Sequence, residues 1–383
     1  MEFLPFALPD ITDQEKRAVM DALESNWVTT GPKTKELEAK FAAAVGGKHG
    51  IAMNSCTAAL HLALEAIGVR AGDEVIVPTL TFAASAEVVR YLDAKPVLVD
   101  VLPGDHTMDP KAVERAITPK TKAIMPVHFG GQACDMDPIM ELARARKIPV
   151  IEDAAHSFPT YYKGKMVGSI GDITCFSFYA TKTITTGEGG MVVTSDSRLA
   201  KRMSVMRMHG IDKPVWDRYT SKTASWSYSV VEAGFKYNLP DLLAAIGREQ
   251  LKKADRFLEE RRRIAGIYGE SFRGLPFAEL PPEGPGHAWH LYSLRLRPGS
   301  LQASRDEFVD RLREAGIGTS VHFIPLHTMP YWAERYGLTP DRFPEALSSF
   351  QRTVSLPIWQ GMGEDRARRV ARAVAETGAG LSG

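Results

Sequence analysis

The chain has 383 residues, which is long for one minimal domain and suits two domains. Its 47 lysine and arginine residues balance 46 aspartate and glutamate residues, so no net charge favours a nucleic acid or a membrane surface as partner. No apolar run approaches the ~18 residues of a membrane span, and we expect no secretory signal. Cys56, Cys134 and Cys175 are odd in number and unclustered. We therefore predict neither disulfides nor a metal site, and a reducing, cytoplasmic compartment.

Helices are predicted over 13–25 and 33–46, with a turn-rich loop between them. Strands and helices then alternate. The predicted strands are 49–53, 74–77, 96–101, 122–127, 147–153, one that ends near Ser177, and 191–194; the predicted helices are 57–67, 82–92 and 138–146. Short apolar strands separated by helices indicate a mostly parallel sheet with helices on both faces. Ligands bind such sheets at the carboxyl ends of the strands.

The second half of the chain is predicted to contain a helix over 197–208, a polar and aromatic loop over 213–229 that is either flexible or substrate-facing, and one long helix over 242–268. A Pro/Gly-rich stretch, 274–286, follows and marks the expected boundary between domains 1–274 and 275–383. The elements predicted beyond it are strands 290–296 and 319–323 and helices 304–315 and 367–377. These elements indicate a small α+β domain.

A single lysine lies in the loop between two apolar strands. Lys182 follows Ser177 by five residues and precedes the glycine-rich turn 187–190. A buried lysine is costly while it stays charged and unpaired, and a pKa lowered by burial makes the amine nucleophilic enough to form a Schiff base. Our hypothesis is that Lys182 binds pyridoxal phosphate (PLP) covalently. The alternative is a surface lysine beside a turn.

Small and hydroxyl residues lead from the first predicted strand directly into a helix. Ser55 or Thr57 is expected to cap this helix, whose free N–H groups and dipole form a candidate phosphate site. At the end of the next strand, Phe82 either stacks on a flat heteroaromatic ring or belongs to the core. Neither a Walker motif nor G-x-G-x-x-G accompanies these residues, which argues against ATP and NAD.

Asp153 terminates an apolar strand, so we expect a partly buried carboxylate that needs a cationic or hydrogen-bonding partner. A protonated pyridine nitrogen would serve, and this pairing makes PLP an electron sink. His156, three residues further on, is expected to reach the phenolic oxygen of the same ring. The alternative is a helix-capping aspartate followed by a surface histidine.

Taken together, these motifs resemble those of the DegT/StrS family of nucleotide-sugar aminotransferases. The similar segments are 29–32, 55–61, 78–82, 152–156, 168–172, 177–190, 237–240, 290–292, 322–327 and 355–357. The resemblance implies an α/β, aspartate aminotransferase-like fold (fold type I), with a mostly parallel seven-stranded sheet in the large domain. It also implies a PLP cofactor, transfer from L-glutamate (giving 2-oxoglutarate) to a nucleotide-linked keto sugar, and a homodimer with its active sites at the subunit interface.

The same resemblance implies roles for individual residues. Lys182 would carry the cofactor and shuttle a proton, Asp153 would pair with the pyridine nitrogen, and His156 would lie near the phenolic oxygen. The other implied cofactor contacts are the stacking ring of Phe82, the phosphate-binding group Ser55, Cys56, Thr57, Ala58 and Ser177, and Asn238, which would reach the phosphate of the neighbouring subunit. The implied substrate contacts are Thr30, Gly31, Lys33, His322 and His327.

Residues 185–190 resemble those of family members that aminate C4 of a keto sugar, and the greatest likeness is to the type that makes UDP-4-amino-4-deoxy-L-arabinose. Cys56, Thr183 and Phe82 depart from the residues usual there. The expected product is a 4-amino sugar for a cell-surface glycan. Amination at C3 is the alternative reaction. A non-catalytic regulator is the alternative class, but it would be expected to lack Lys182 or Asp153.

Overall fold

A computed structural model of the chain describes residues 2–213, 216 and 227–382. Its α-helices are α1 (Asp13–Glu24), α2 (Pro32–Ala44), α3 (Cys56–Ala66), α4 (Ala84–Arg90), α5 (Pro110–Ala116), α6 (Met136–Arg146), α7 (Ser197–Met206), α8 (Asp241–Lys252), α9 (Ala254–Phe272), α10 (Arg305–Glu314), α11 (Pro330–Tyr336), α12 (Pro344–Arg352) and α13 (Glu364–Leu381). No helix in the described ranges is both long enough and apolar enough to cross a membrane.

The strands are β1 (His49–Met53), β2 (Glu74–Pro78), β3 (Lys95–Val99), β4 (Thr121–Ile124), β5 (Ile151–Asp153), β6 (Tyr161–Tyr162), β7 (Lys165–Met166), β8 (Ile173–Ser177), β9 (Gly190–Thr194), β10 (Ala278–Glu279), β11 (Tyr292–Leu296) and β12 (Thr353–Leu356). Most of the predicted elements up to residue 206 lie within a few residues of these bounds. Helices α5, α11 and α12 and strands β6, β7, β10 and β12 are additions to the predicted set.

The central sheet contains seven strands of the described chain, in the order β1-β9-β8-β5-β4-β2-β3. Parallel pairing joins β3 and β4 to β2, and β8 to β5. Isolated parallel bridges, Ile124 with Val150 and Val127 with Asp153, connect the β4 and β5 segments. Strand β9 runs antiparallel to both of its neighbours, β1 and β8. The predicted mostly parallel seven-stranded sheet is therefore confirmed.

Apolar side chains on both faces of this sheet explain its helical layers. In β2, Val75 and Val77 belong to one core cluster with residues of α3, α4 and α7, whereas Ile76 belongs to another with residues of α5 and α6. Successive residues of a strand point to opposite faces, so both faces of β2 are buried. A parallel sheet requires this double cover.

A second core lies in the C-terminal part of the chain, around the antiparallel sheet β10-β11-β12. It includes Tyr268 and Phe272 from α9 and Leu4 from the N-terminal segment. Leu4 also forms a parallel bridge with Ile317. The N-terminal segment is thus attached to the C-terminal core, and the division between residues 274 and 275 stays a prediction.

Two predicted elements are wrong. The single helix over 242–268 is two helices, α8 and α9, which meet at Lys253. There the Nζ atom lies 2.7 and 2.9 Å from the two carboxylate oxygens of the buried Glu15, so the break coincides with a buried ion pair. In place of a strand over 319–323, Ser320 makes one isolated bridge with Ser355. The loop predicted over 213–229 lies mostly outside the described residues.

A distant carboxylate caps helix α2. Gly31 precedes this helix and has no side chain to cap it. Asp241, the buried first residue of α8, accepts hydrogen bonds from the backbone N–H groups of Gly31 at 2.8 Å, Lys33 at 3.1 Å and Thr34 at 2.9 Å. The hydroxyl of Thr34 donates to the same carboxylate at 2.7 Å. Asp241 thus satisfies donors that every helix leaves open at its N-terminus.

Replacing Asp241 with alanine should lower the free energy of unfolding by about 2–4 kcal/mol, because buried N–H groups lose their acceptor. Asp241→Asn keeps one acceptor oxygen and should cost less. Asp255→Ala is the matched control, since Asp255 is an exposed acid in the first turn of α9 and should have little effect. Urea unfolding measures all three variants. An Asp241→Ala protein as stable as the Asp255→Ala protein would contradict the capping role.

Candidate active site

Residues at or just after the ends of four strands that run in the same direction meet at one edge of the central sheet. Ser55 follows β1, Phe82 follows β2, Asp153 ends β5 and Ser177 ends β8. All four line one cavity of about 470 Å³. The predicted site residues that line it are Ser55, Cys56, Thr57, Phe82, Asp153, His156, Ser177, Lys182 and His322. The carboxyl edge of the strands is thus the candidate site, as expected for an open α/β sheet.

Asp153 places a carboxylate in this cavity with only 5% of the residue exposed. Its Oδ2 accepts a hydrogen bond from the Ser85 hydroxyl at 2.7 Å, and its Oδ1 accepts one from the backbone N–H of Ala155 at 3.1 Å. Burial raises the pKa of Asp153, while these hydrogen bonds and nearby Lys182 oppose the rise. A cationic group bound beside this carboxylate would meet a strong, poorly screened attraction.

Lys182 lies in the loop between β8 and β9. Its backbone N–H donates to the carbonyl oxygen of Tyr179 at 2.9 Å, which closes a turn. Burial lowers the pKa of Lys182 to about 8, although nearby Cys56 and Asp153 act in the opposite direction. A larger fraction of this amine is therefore unprotonated near neutral pH than in an exposed lysine. The unprotonated amine is the nucleophile that reacts with an aldehyde.

The N-terminus of α3 forms the candidate phosphate site. Ser55 caps this helix, because its hydroxyl accepts a hydrogen bond from the N–H of Ala58 at 3.0 Å. The N–H of Ala58 is thus paired within the protein, and Cys56 and Thr57 carry the other first-turn amides available to an anion. Gly190 allows β9 to approach closely, since an added Cβ would lie 2.5 Å from the Ser55 carbonyl oxygen.

Aromatic rings supply a flat surface in the same cavity. Phe82 is 62% exposed, and its ring centroid lies 5.9 Å from that of Phe323. This exposure agrees with the stacking role rather than with the core alternative. The ring of His156 stacks on Phe323 at 5.6 Å, and its Nδ1 accepts a hydrogen bond from the Gly130 N–H at 3.3 Å. Since burial lowers the pKa of His156 well below its usual range, the neutral ring carries its proton on Nε2.

These features fit pyridoxal phosphate. Asp153 offers a carboxylate to a protonated pyridine nitrogen, and Lys182 offers an amine to the aldehyde. The first turn of α3 offers amides to the phosphate, Phe82 offers a stacking face, and the Nε2–H of His156 is a donor for the phenolic oxygen. All of these groups line the same cavity.

A second group of predicted residues lies outside the cavity and is organised by Asp241. Asn238 donates to the Thr30 hydroxyl at 2.7 Å, and this hydroxyl donates to the Leu239 carbonyl oxygen at 2.6 Å. Gly31 is hydrogen-bonded to Asp241, and Lys33 is half-buried in the first turn of α2. The implied roles of these residues, including the contact of Asn238 with a neighbouring subunit, stay predictions.

The two predicted histidines of the C-terminal part differ in position. His322 lines the cavity, and its Nδ1 lies 2.9 Å from the Ser355 hydroxyl oxygen. His327 is fully buried outside it, with its Nδ1 2.9 Å from the Thr79 hydroxyl oxygen and its ring stacked on Phe343. A contact between His327 and the substrate stays a prediction.

The cavity also contains residues that sequence analysis did not assign to the site. They are Phe6, Ala7, Leu60, Ala84, Ala155, Tyr179, Thr181, Glu188, Gly189, His290, Leu291, Phe323 and Ile358. The ring of Phe6 lies 5.5 Å from that of His322. No local pattern marks Phe6, because only the attachment of Leu4 to the C-terminal core brings the segment there. His290 occurs in the family-like motif 290–292, which was the only signal for it.

Residues 9–375 match the sequence pattern of the DegT/DnrJ/EryC1/StrS aminotransferase family. The chain belongs to this family. SpsC of Bacillus subtilis, a spore coat polysaccharide biosynthesis protein, is 46% identical over 375 residues, covering 97% of this chain and 96% of SpsC. Spr1654 of Streptococcus pneumoniae in its PMP form has a TM-score of 0.93 and 31% identity, covering 99% of this chain and 100% of that one. Helicobacter pylori PseC has a TM-score of 0.92 and 26% identity, with coverage of 99% and 100%.

Membership of this family confirms the predicted enzyme class, and the solved relatives confirm the predicted fold. Spr1654 has been solved in PLP and PMP forms, in agreement with the groups found in the cavity. The predicted cofactor is therefore confirmed, and the protein is a PLP-dependent aminotransferase. The particular likeness to the arabinose-modifying type stays a prediction.

The lowered pKa of Lys182 predicts the pH dependence of cofactor uptake by the apoenzyme. Covalent attachment needs the unprotonated amine, so its rate should rise with pH, reach half its maximum near pH 8 and then level off. Asp153→Asn removes a charge that stabilises the protonated amine, so the midpoint should move to lower pH. Stopped-flow absorbance after addition of PLP measures both midpoints.

Lys182→Ala is the control for this measurement, since it should bind PLP without the visible absorption of the lysine-linked cofactor. A wild-type rate that still increases steeply at pH 10 would contradict a lowered pKa.

Proposed function

We propose that this enzyme transfers the amino group of L-glutamate to C4 of a nucleotide-linked 4-keto sugar. The acceptor would be a UDP-linked 4-keto-pentose or a UDP-, dTDP- or GDP-linked 4-keto-6-deoxyhexose. The observation that carries the proposal is the cavity shared by Lys182 and Asp153 in a chain of this aminotransferase family. The C4 position is supported by the residues after the lysine, 185–190.

A sugar as the acceptor is supported by the relatives. PseC is an aminotransferase involved in the biosynthesis of pseudoaminic acid, and SpsC is a protein of spore coat polysaccharide biosynthesis. A sugar aminotransferase of this kind would make a 4-amino sugar for a cell-surface glycan such as lipopolysaccharide. Its compartment would be the cytoplasm, where nucleotide-linked sugars are used.

When bound, the cofactor supplies an electron-withdrawing ring that accepts the electron pair of the broken C–H bond. Asp153 keeps the ring nitrogen protonated, because the buried carboxylate stabilises a neighbouring cation. His156 donates from Nε2–H to the phenolic oxygen. In the first half-reaction Lys182 Nζ removes the proton from the α-carbon of glutamate. In the second, Lys182 Nζ delivers a proton to C4 of the sugar. Because 2-oxoglutarate leaves before the sugar binds in the same cavity, the kinetics are ping-pong.

The active unit would be a homodimer with its sites at the subunit interface. Large apolar side chains are exposed on the single chain, among them Met20, Leu23, Val230, Val231 and Tyr331. A dimer interface would cover side chains such as these. In such a dimer, Asn238 would contact the cofactor phosphate of the neighbouring subunit, and the loop at Thr30 would contact the sugar nucleotide.

The proposed reaction predicts two spectral changes in the PLP-loaded enzyme. L-glutamate should abolish the visible absorption of the lysine-linked cofactor and release 2-oxoglutarate. After removal of the glutamate, a nucleotide-linked 4-keto sugar should restore this absorption and yield an amino sugar. A panel of 4-keto and 3-keto sugars with different nucleotides, followed by mass spectrometry, identifies the acceptor.

Lys182→Ala should form no glutamate-dependent product in the same assay. Restoration by 3-keto sugars only would replace C4 by C3 in the proposal. An enzyme whose visible absorption does not respond to glutamate would refute glutamate as the donor.

A further inference from the structure

His290 is a buried histidine that lines the active-site cavity, and one of its ring nitrogens has no protein partner in the described part of the chain. It lies just before β11 and lines the same cavity as Lys182. The residue is 6% exposed, and its buried Nδ1 has no hydrogen-bond partner in the described part of the chain. A buried polar atom without a partner is costly and needs an explanation. Because the residue lines the cavity, a ligand bound there is a candidate partner for the imidazole.

The backbone around His290 is held in a defined position by a glycine turn. The N–H of Leu291 donates to the Gly130 carbonyl oxygen at 3.0 Å, and the N–H of Ala288 donates to that of Gly131 at 2.8 Å. At Gly131, which has a φ of +101°, an added Cβ would lie 2.9 Å from the backbone nitrogen of His290. Only glycine permits this close approach without strain.

The same turn holds His156, since the Gly130 N–H donates to its Nδ1. The rings of His156 and His290 therefore lie side by side, with centroids 4.5 Å apart. Behind them, the buried Arg261 donates to the His290 carbonyl oxygen at 3.2 Å. The hydrogen bonds of Leu291 and Ala288 to the glycine turn, together with that of Arg261, hold the backbone around His290. The His290 imidazole lies beside that of His156, the predicted cofactor contact.

Apart from Lys182, the described basic side chains that line the cavity are histidines. Among the described residues that line it, Lys182 and the histidines at 156, 290 and 322 are the groups able to carry a positive charge, and no arginine is present. Burial lowers the pKa of His290 well below its usual range and that of His322 to about 4. Both imidazoles are therefore neutral near pH 7, each with one N–H donor and one acceptor.

We propose that His290 is a substrate-binding residue, which donates a hydrogen bond to the α-carboxylate of the amino donor and later contacts a hydroxyl of the acceptor sugar. The proposal rests on the proposed function, in which an amino acid and a sugar use one cavity in turn. The α-carboxylate is bonded to the carbon that Lys182 deprotonates, so of the two carboxylates of glutamate it is the one held near Lys182 and its neighbours.

A neutral imidazole can bind both the charged carboxylate of the amino acid and the uncharged hydroxyl groups of the sugar. A guanidinium only donates hydrogen bonds, and it would stay buried and unpaired when a neutral sugar replaced the carboxylate. An imidazole donates to the anion in the first half-reaction. In the second it can donate to a hydroxyl oxygen or accept from a hydroxyl group, with no change of charge.

The test compares His290→Phe, which removes the donor and acceptor, with His290→Gln, which keeps one of each. His287→Phe is the matched control, since His287 is a buried histidine three residues away whose Nδ1 accepts from the Trp289 N–H at 2.8 Å. Each PLP-loaded variant is mixed with L-glutamate, and the loss of visible absorption gives an apparent dissociation constant and a maximum rate. A separate titration with PLP measures cofactor affinity.

We expect His290→Phe to raise the dissociation constant for glutamate about ten- to a hundredfold, as for a lost hydrogen bond to a charged group. The maximum rate should change less than about threefold, because the variant removes a binding contact, not the proton shuttle. His290→Gln should recover most of the affinity. His287→Phe should bind glutamate like the wild type, and PLP affinity should be unchanged throughout.

If His290→Phe binds glutamate with the same dissociation constant as the wild type, the proposal is overturned. His290 would then have a packing role, with water at its Nδ1. An altered affinity for PLP without a change for glutamate would also overturn it, in favour of a cofactor contact. If His290→Phe does not fold, His290→Leu replaces it in the same comparison with His290→Gln.

The glutamate half-reaction requires no sugar. A failure of every keto sugar to restore the absorption would therefore refute the proposed acceptor and leave this test valid. If glutamate does not react even with the wild type, L-glutamine is the probe, since it has the same α-carboxylate.

Discussion

The buried guanidinium of Arg261 joins the two parts of the chain that build the active site. It donates to the carbonyl oxygen of His290 on one side and, at 3.0 and 3.2 Å, to the side-chain oxygen of Gln360 on the other. The amide nitrogen of Gln360 donates in turn to the carbonyl oxygen of Thr183 at 3.2 Å, next to Lys182. A charge buried this deeply is tolerated only with its hydrogen bonds complete. The network therefore couples the position of the Lys182 loop to that of the His290 segment.

The electrostatics of the cavity follow from the same exclusion of water. Burial lowers the pKa of Lys182 and raises that of Asp153, so each group is less stable in its charged form than it would be in water. Each charge partly offsets this effect on the other. A cofactor with a protonated ring nitrogen and an aldehyde would form an ion pair with the carboxylate of Asp153 and a covalent bond with the amine of Lys182. Two groups that are unfavourable alone become complementary to one ligand.

Much of the fold could be predicted because its signals are local. Apolar strands such as 49–53 and 74–77 and the capping residue Ser55 each follow from a few neighbouring residues. The errors arose where distant contacts decide. The helix predicted over 242–268 breaks at Lys253, whose partner Glu15 is 238 residues away. The segment 319–323 meets a partner strand only at Ser320, so no strand forms.

The sequence by itself determined the chemistry of this protein through its resemblance to a family. A lysine after a strand, an acid at the end of another and a capped helix each allowed an ordinary structural role, and the ordered set of family-like motifs decided for a PLP site. Parallel strands bring their carboxyl ends to one edge, which is why these separate motifs meet. Only the tertiary structure decided which other side chains share that cavity. Phe6 is 176 residues from Lys182 in sequence and His290 is 108 residues from it, and both line the cavity while His327 does not. Such membership depends on how the N-terminal segment and the C-terminal core pack against the sheet, and packing between distant segments leaves no periodic signal in the sequence.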